Sequence, residues 1–155
     1  VTAIAVSAPA FTVRRVIHPW RRLRALTAWE LRWHSPEDDP DPGFTLFDEQ
    51  AISLRNNLTW AERRSTVLHE CLHAERGPTL EGVLAEREEL WIRRETARLL
   101  LPDVRQIGEA LAWSALSPEE AADELHVDVG VLRDRLRWLH PAERGYLARR
   151  LQEVE

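Results

Sequence analysis

An α+β fold, mainly helical, with a small antiparallel sheet packed on one central helix and a helical C-terminal part, is predicted by three features of this 155-residue chain. The first is TWAERRSTVLHECLHAERG, residues 59–77, a helix with both ends marked. Thr59 and Glu62 have the S/T-x-x-E spacing of a capping box, in which hydroxyl and carboxylate each satisfy an orphan backbone N–H. Gly77 stands where a left-handed residue ends a helix. The second feature is a pair of short apolar runs just ahead of that helix, at 44–47 and 51–54, separated by Asp48-Glu49-Gln50. The third is a final third in which apolar residues recur only at helical spacing.

Taken in order, residues 1–13 (VTAIAVSAPAFTV) are mildly apolar, but no basic stretch precedes them as in a secretory signal. They are also shorter than the roughly 20 residues needed to span a bilayer. Residues 1–18 read as a loosely held or strand-forming N-terminal segment, 19–116 as the core carrying the chemistry, and 117–155 as a helical part packed on it. His18-Pro19-Trp20 opens a short helix, since proline suits the first turn; Trp20, Leu23 and Leu26 form its apolar side and Arg21, Arg22 and Arg24 its solvated side. Trp29, Leu31 and Trp33 alternate with Glu30, Arg32 and His34, the period of a half-buried strand. SPEDDPDPG, residues 35–43, must be a surface loop, because its prolines remove donors and its acids repel one another. Those prolines also break the ligand spacing of a calcium loop. Asn56-Asn57 then turns the chain into the central helix.

After Gly77-Pro78 a helical segment, 80–101, runs to the stop at Pro102. A further helix is expected over 107–116. Ser117-Pro118-Glu119-Glu120 starts another, with serine at N-cap and proline at N1. The stretch 121–139 has the outline of a helix-turn-helix, its second helix capped by Asp128 and carrying Arg133, Arg135 and Arg137. His126 stands where such a turn favours glycine, and alternating Arg133 and Asp134 make a poor phosphate surface, so packing is favoured over DNA reading. A last helix is expected over 141–154, with Tyr146, Leu147 and Leu151 as its apolar side.

The chemistry concentrates in the central helix. His69-Glu70-Cys71-Leu72-His73 places two imidazoles at i, i+4, on one face and about 5–6 Å apart at Cβ, so that their ring nitrogens converge on one ion. Glu70 is rotated from that face yet near enough to hold a water. This H-E-x-x-H arrangement is that of zinc peptidases, with two histidine ligands and a glutamate general base. Val67, Leu68, Cys71 and Leu72 supply the apolar flank that a rigid site needs. A hydrolytic zinc site requires a third protein ligand and an open position for water. The following helix offers Glu86, Glu88, Glu89 and Glu95. Glu89 shares a face with Ile92, Thr96, Leu99 and Leu100 and is directed inward; Glu88, aligned with Trp91 and Ile92, is its nearest rival. The candidate metal set is His69 and His73 with Glu89, or its rival Glu88, around one Zn²⁺ per chain, with Glu70 as catalytic base, although iron or manganese suits the same donors. Tyr146, His126 and His140 could fold back to supply a donor to the transition state, but a structural role is favoured for each.

Composition narrows the partners. A formal net charge of -5 gives no global attraction to nucleic acid or anionic lipid, so neither nucleic acid nor membrane is expected as a partner. One cysteine excludes an intrachain disulfide framework and a cysteine-rich zinc site.

On Ala51-Ile52-Ser53-Leu54, Glu62-Arg63-Arg64, Leu68-His69-Glu70 and His73-Ala74-Glu75-Arg76-Gly77, the chain resembles the ImmA/IrrE family of metallopeptidases, over a stretch from about Pro19 through Leu139. That family follows its histidine motif with a helix of the form E-x-x-A-x-x-F-A-x-x-L-L-x-P. Anchoring its end on Leu99-Leu100-Leu101-Pro102 puts Glu89 at the glutamate ligand, with Ile92, Glu95 and Thr96 departing from the pattern and leaving Glu88 as the alternative. The Trp20–Arg24 run and the C-terminal EL-V-D-LR-RL pattern are most similar to versions encoded by phages and prophages of actinobacteria. The resemblance implies a zincin-like fold and a cytoplasmic zinc endopeptidase of the bacterial host cell. It implies as substrate a specific transcriptional repressor, of the helix-turn-helix type, from a phage or mobile element. Two other functions fit the residues: a binding module that sequesters such a repressor without cutting it, and a DNA-binding regulator acting through residues 121–139.

Overall fold

The computed structural model describes residues 17–78, 80–152 and 154; the expected N-terminal segment, residues 1–18, thus lies outside the described residues save for its last two. The architecture is α+β and mainly helical. Its order is α1 (Pro19–Ala25), β1 (Glu30–His34), β2 (Gly43–Leu46), β3 (Ala51–Arg55), α2 (Trp60–Arg76), α3 (Gly82–Leu100), α4 (Val104–Trp113), α5 (Pro118–Glu124), α6 (Val129–Arg137) and α7 (Pro141–Leu151).

The sheet is mixed, where an antiparallel one was expected. Its order is β1-β3-β2: β2 pairs antiparallel with β3, from Gly43↔Leu54 to Leu46↔Ala51, while β1 pairs parallel with β3, from Glu30↔Ala51 to His34↔Arg55. The physical reason lies in the strands' own residues. Ala51, Ile52 and Leu54 are fully buried, as in a strand covered on both faces, so β3 takes the centre and the half-polar β1 an edge. The loop over 35–42 carries the chain past the end of β3, where Arg55 N donates to Pro42 O and Asn56 N to His34 O. Trp33, expected to face inward, is 48% exposed, and the Arg63 guanidinium lies over its ring, 5.1 Å from the centroid.

Helix α2 lies between two apolar clusters. On one side Val67 and Cys71 pack with Leu23 of α1 and with Ile52 and Leu54 of β3; on the other, Leu68 joins a larger cluster containing Leu100, Ile107, Ala121, Val127, Leu132 and Leu147 from the helices that follow. The capping box predicted at its start is formed, with Glu62 N donating to Thr59 Oγ1 and Thr59 N to the Glu62 carboxylate. Gly77 ends the helix at φ 96°, a conformation that costs glycine little. Arg22, expected on a solvated face, is instead held bidentately by Glu75 at 2.6 Å and fastens α1 to α2.

The C-terminal helices keep the predicted caps at Ser117 and Asp128. Helix α4 begins earlier than expected, at Val104, because Asp103 caps it through Arg105 N. The turn between α5 and α6 does without glycine: His126 itself takes φ 57°, with its carbonyl accepting from Arg64 on α2 at 3.0 Å. The α6 arginines differ in setting: Arg133 and Arg137 are exposed, and Arg135 is not. Arg135 is buried, donating to Leu101 O and to the Glu143 carboxylate, and Arg133 pairs with Glu119. Among the described residues, no helix is long and apolar enough to cross a membrane.

Candidate metal centre

Because α2 is gripped on both sides, its third face is presented rigidly to a cleft of about 350 Å³. His69, Glu70 and Glu89 line this cleft, with Gly43 of β2 and with Gly130, Val131 and Asp134 of α6 and its N-cap Asp128. The i, i+4 relation brings His69 Nε2 within 3.2 Å of His73 Nε2. Glu89 then closes the triangle from α3, one carboxylate oxygen 3.4 Å from His69 Nε2 and the other 3.2 Å from His73 Nε2.

The expected third residue is thus the one brought to the histidines. Its rival Glu88 points elsewhere: it is 8% exposed and accepts from Arg76 Nε at 2.8 Å, while Arg76 also stacks on Trp91. The facing argument had made Glu89 the inward residue, yet the buried stripe of α3 is Glu88, Ile92, Thr96, Ala97 and Leu100. Glu89 sits on the flank of that stripe, its side chain 46% exposed at the cleft. That flank faces the imidazoles, and an arginine is required to neutralise the deeper glutamate.

His69, His73 and Glu89 form a group that could hold a metal ion, their ligand atoms all within 4.8 Å of one another. The spacing tests the fit. Ligand atoms bound tetrahedrally at about 2.0–2.1 Å stand about 3.3 Å apart; the two imidazole nitrogens stand 3.2 Å apart, and Glu89 turns a different carboxylate oxygen to each of them, at 3.4 and 3.2 Å. Two imidazoles and one carboxylate also form a donor set used by catalytic zinc. The two imidazoles, His69 foremost, hold the Glu89 carboxyl far below the usual carboxylate range. Burial opposes charge on His69, but the hydrogen bond to Glu89 and the nearby Glu70 carboxylate outweigh it, and its pKa is displaced upward.

Glu70 lies deeper, 6% exposed, and burial raises its carboxyl pKa. Its Oε2 accepts from Thr45 Oγ1 at 2.8 Å, leaving Oε1 without that anchor. Strand β2 comes this close to α2 because Gly43 has no side chain: a Cβ there would stand 2.5 Å from Thr66 Cγ2 and 3.2 Å from Glu70 Cγ. Cys71, inside the motif, is fully buried, and burial pushes its thiol up to about 12, which makes it a packing residue rather than a nucleophile.

None of the three residues weighed as transition-state donors lines this cleft, and each has a structural role, as favoured. Tyr146 packs beside Gly108 of α4; His126 meets Trp60 edge-on in the α5–α6 turn; His140 caps α7, with Nδ1 accepting from Ala142 N. The sequence reading missed Thr45, Gly43 and Arg93. Only Arg93 carried a usable signal, since it lies four residues after Glu89 and so on the same helical face. Thr45 and Gly43 matter only through pairing between β2 and α2, which local pattern does not encode.

Compared with known proteins, the chain matches no family model, no curated protein and no solved structure.

Proposed function

We propose that this chain is a zinc-dependent endopeptidase of the ImmA/IrrE kind, which hydrolyses a specific protein substrate in the cytoplasm of a bacterial host cell. The substrate in this reading is a helix-turn-helix repressor of a phage or mobile element. The single observation that carries the chemistry is the group of His69, His73 and Glu89 at a cleft that His69 and Glu89 line together with a buried glutamate, Glu70. When bound, zinc supplies Lewis acidity, lowering the pKa of a water towards about 7 and polarising a carbonyl.

The chain's own residues supply the rest. Glu70 takes a proton from the attacking water at Oε1, since Oε2 is occupied by Thr45, and returns it to the leaving amine. Burial that raises its pKa makes it a better base than a solvated carboxylate. Strand β2 pairs with β3 along one edge only, and its other edge suits an extended peptide held by backbone hydrogen bonds. Thr45 lies on that strand, so the same element that orients the base would lay the peptide alongside it. Burial of Arg135 supports a packing role for α6, and the pairing of Arg133 with Glu119 leaves that surface less basic than a DNA-reading helix needs.

Metal content of the purified protein and cleavage of the repressor encoded beside it test this reading together. Wild type is expected to hold about one zinc per chain, Glu89→Ala to lose it and Glu88→Ala to keep it. Glu70→Gln is expected to keep zinc and abolish cleavage. Absence of zinc from wild type after supplementation overturns the enzyme reading. A Glu70→Gln variant that still inactivates the repressor favours sequestration without cutting.

A further inference from the structure

Arg93 and Asp134 form the only ion pair among the described residues that joins α3 to α6 at the cleft. Arg93 Nε donates to Asp134 Oδ2 at 2.9 Å and Nη2 to Oδ1 at 2.7 Å. This fork fixes the guanidinium plane and leaves Nη1 with no acceptor among the described residues. The arginine side chain is 42% exposed whereas its aspartate is 14% exposed, so the anchor is the shielded partner and the donor is the accessible one. Arg93 stands one turn beyond Glu89 on the same face of α3, close enough for its charge to be felt at His69. One turn further, Thr96 also lines the cleft, 3% exposed and with its Oγ1 unpartnered.

Charge decides which group this donor serves. Asp134 neutralises Arg93, and Asp41 and Asp128 line the same cleft, so an anionic ligand group gains little there. A neutral acceptor with a strong dipole suits a charge-assisted N–H donor better. We infer that Arg93 donates through Nη1 to a backbone carbonyl oxygen of the bound peptide substrate, and that Asp134 is the positioning residue that holds the guanidinium for it. The inference rests on the peptidase reading and gives helix α6, whose outline resembles a recognition helix, a place in substrate binding instead of DNA contact.

The test compares two zinc-directed probes on the zinc-loaded full chain by calorimetry: acetohydroxamate, which has no peptide portion, and a leucyl dipeptide hydroxamate, which has peptide carbonyls. Arg93→Leu is expected to weaken the dipeptide hydroxamate about tenfold, the effect of about 1.4 kcal/mol, while zinc content and acetohydroxamate affinity stay at wild-type values. Arg93→Lys recovers part of the loss. Asp134→Asn weakens the dipeptide probe less, and adding it to Arg93→Leu brings no further loss, because it acts through the arginine. Unchanged dipeptide binding in Arg93→Leu, or equal weakening of both probes, overturns this inference while leaving the metal centre intact. Failure of wild type to hold zinc or either hydroxamate overturns the peptidase reading and this inference with it.

Discussion

Thr45 Oγ1 on the edge strand donates to Glu70 Oε2 on the central helix at 2.8 Å, and also approaches the Glu70 carbonyl at 3.3 Å. One hydroxyl therefore ties the sheet to the residue placed as general base. It also opposes the effect of burial, since a hydrogen bond to a carboxylate favours its charged form.

Thr45→Val keeps the shape and removes that donor. Glu70, already raised by burial, is expected to rise further. The acid limb of the cleavage profile should move to higher pH by about one unit, the equivalent of about 1.4 kcal/mol. Zinc content should not change. A pH profile identical to wild type would show that Thr45 does not govern the protonation of Glu70.

Gly43→Ala places a methyl 2.5 Å from Thr66 Cγ2, a branched side chain on a helix that cannot swing away freely. Overpacking of this kind costs about 1–3 kcal/mol. Denaturant unfolding should register that loss, with β2 moved away from α2 and activity reduced along with it. An alanine variant as stable as wild type would mean that the two elements separate at no cost.

Arg135 and Glu143 are paired at 2.5 Å with 5% and 17% side-chain exposure, and Arg135 also donates to Leu101 O. Burial pushes the Glu143 carboxyl up, but hydrogen bonds from Arg135 and the His140 backbone outweigh it and the net shift is downward. A depressed carboxylate contributes stability above its unfolded pKa of about 4.3 and loses it as pH falls through the folded value. Arg135→Met strands Glu143 and should cost about 3 kcal/mol at neutral pH. Pairing it with Glu143→Gln should recover part of this and flatten the acid dependence. Equal stability of the single and double variants at pH 7 would contradict this account.

Protons compete with metal for His69. Its pKa is displaced upward in the metal-free protein by Glu89 and Glu70 against burial, so the competing proton is held from a pH above the ordinary histidine value of about 6.5. Zinc affinity is expected to fall as pH drops through that range, by about tenfold per unit for each proton displaced. The His69–Glu89 pairing stabilises the metal-free fold fully below the unfolded histidine pKa and loses this contribution as pH rises through the raised value. Zinc titrations between pH 5.5 and 8 check the sign; an affinity that is flat or rises toward acid contradicts it.

Much of the fold and site was legible locally. Capping residues at Thr59, Ser117 and Asp128 act within a few residues of their own helix starts, and all three caps form as their spacing predicts. His69 and His73 meet because an α-helix brings i and i+4 together wherever it is formed. Less was legible where two elements must meet. Asp103 caps α4 after a proline that looked only like a stop, and Trp33 reads as a core residue although β1 is an edge strand whose tryptophan is covered by Arg63.

What this sequence determined by itself is the helix, its ends and the two imidazoles on one face, because these depend on backbone periodicity and on side chains reaching no more than a turn away. The tertiary structure alone decided which of two adjacent glutamates meets the histidines. Glu88 and Glu89 differ by about 100° around one helix, and only the placement of α3 against α2 turns one to Arg76 and the other to the imidazoles. The same holds for the sheet order, for the hydroxyl on Glu70 and for the α6 wall of the cleft: each depends on packing between segments distant in the chain, which no local spacing specifies.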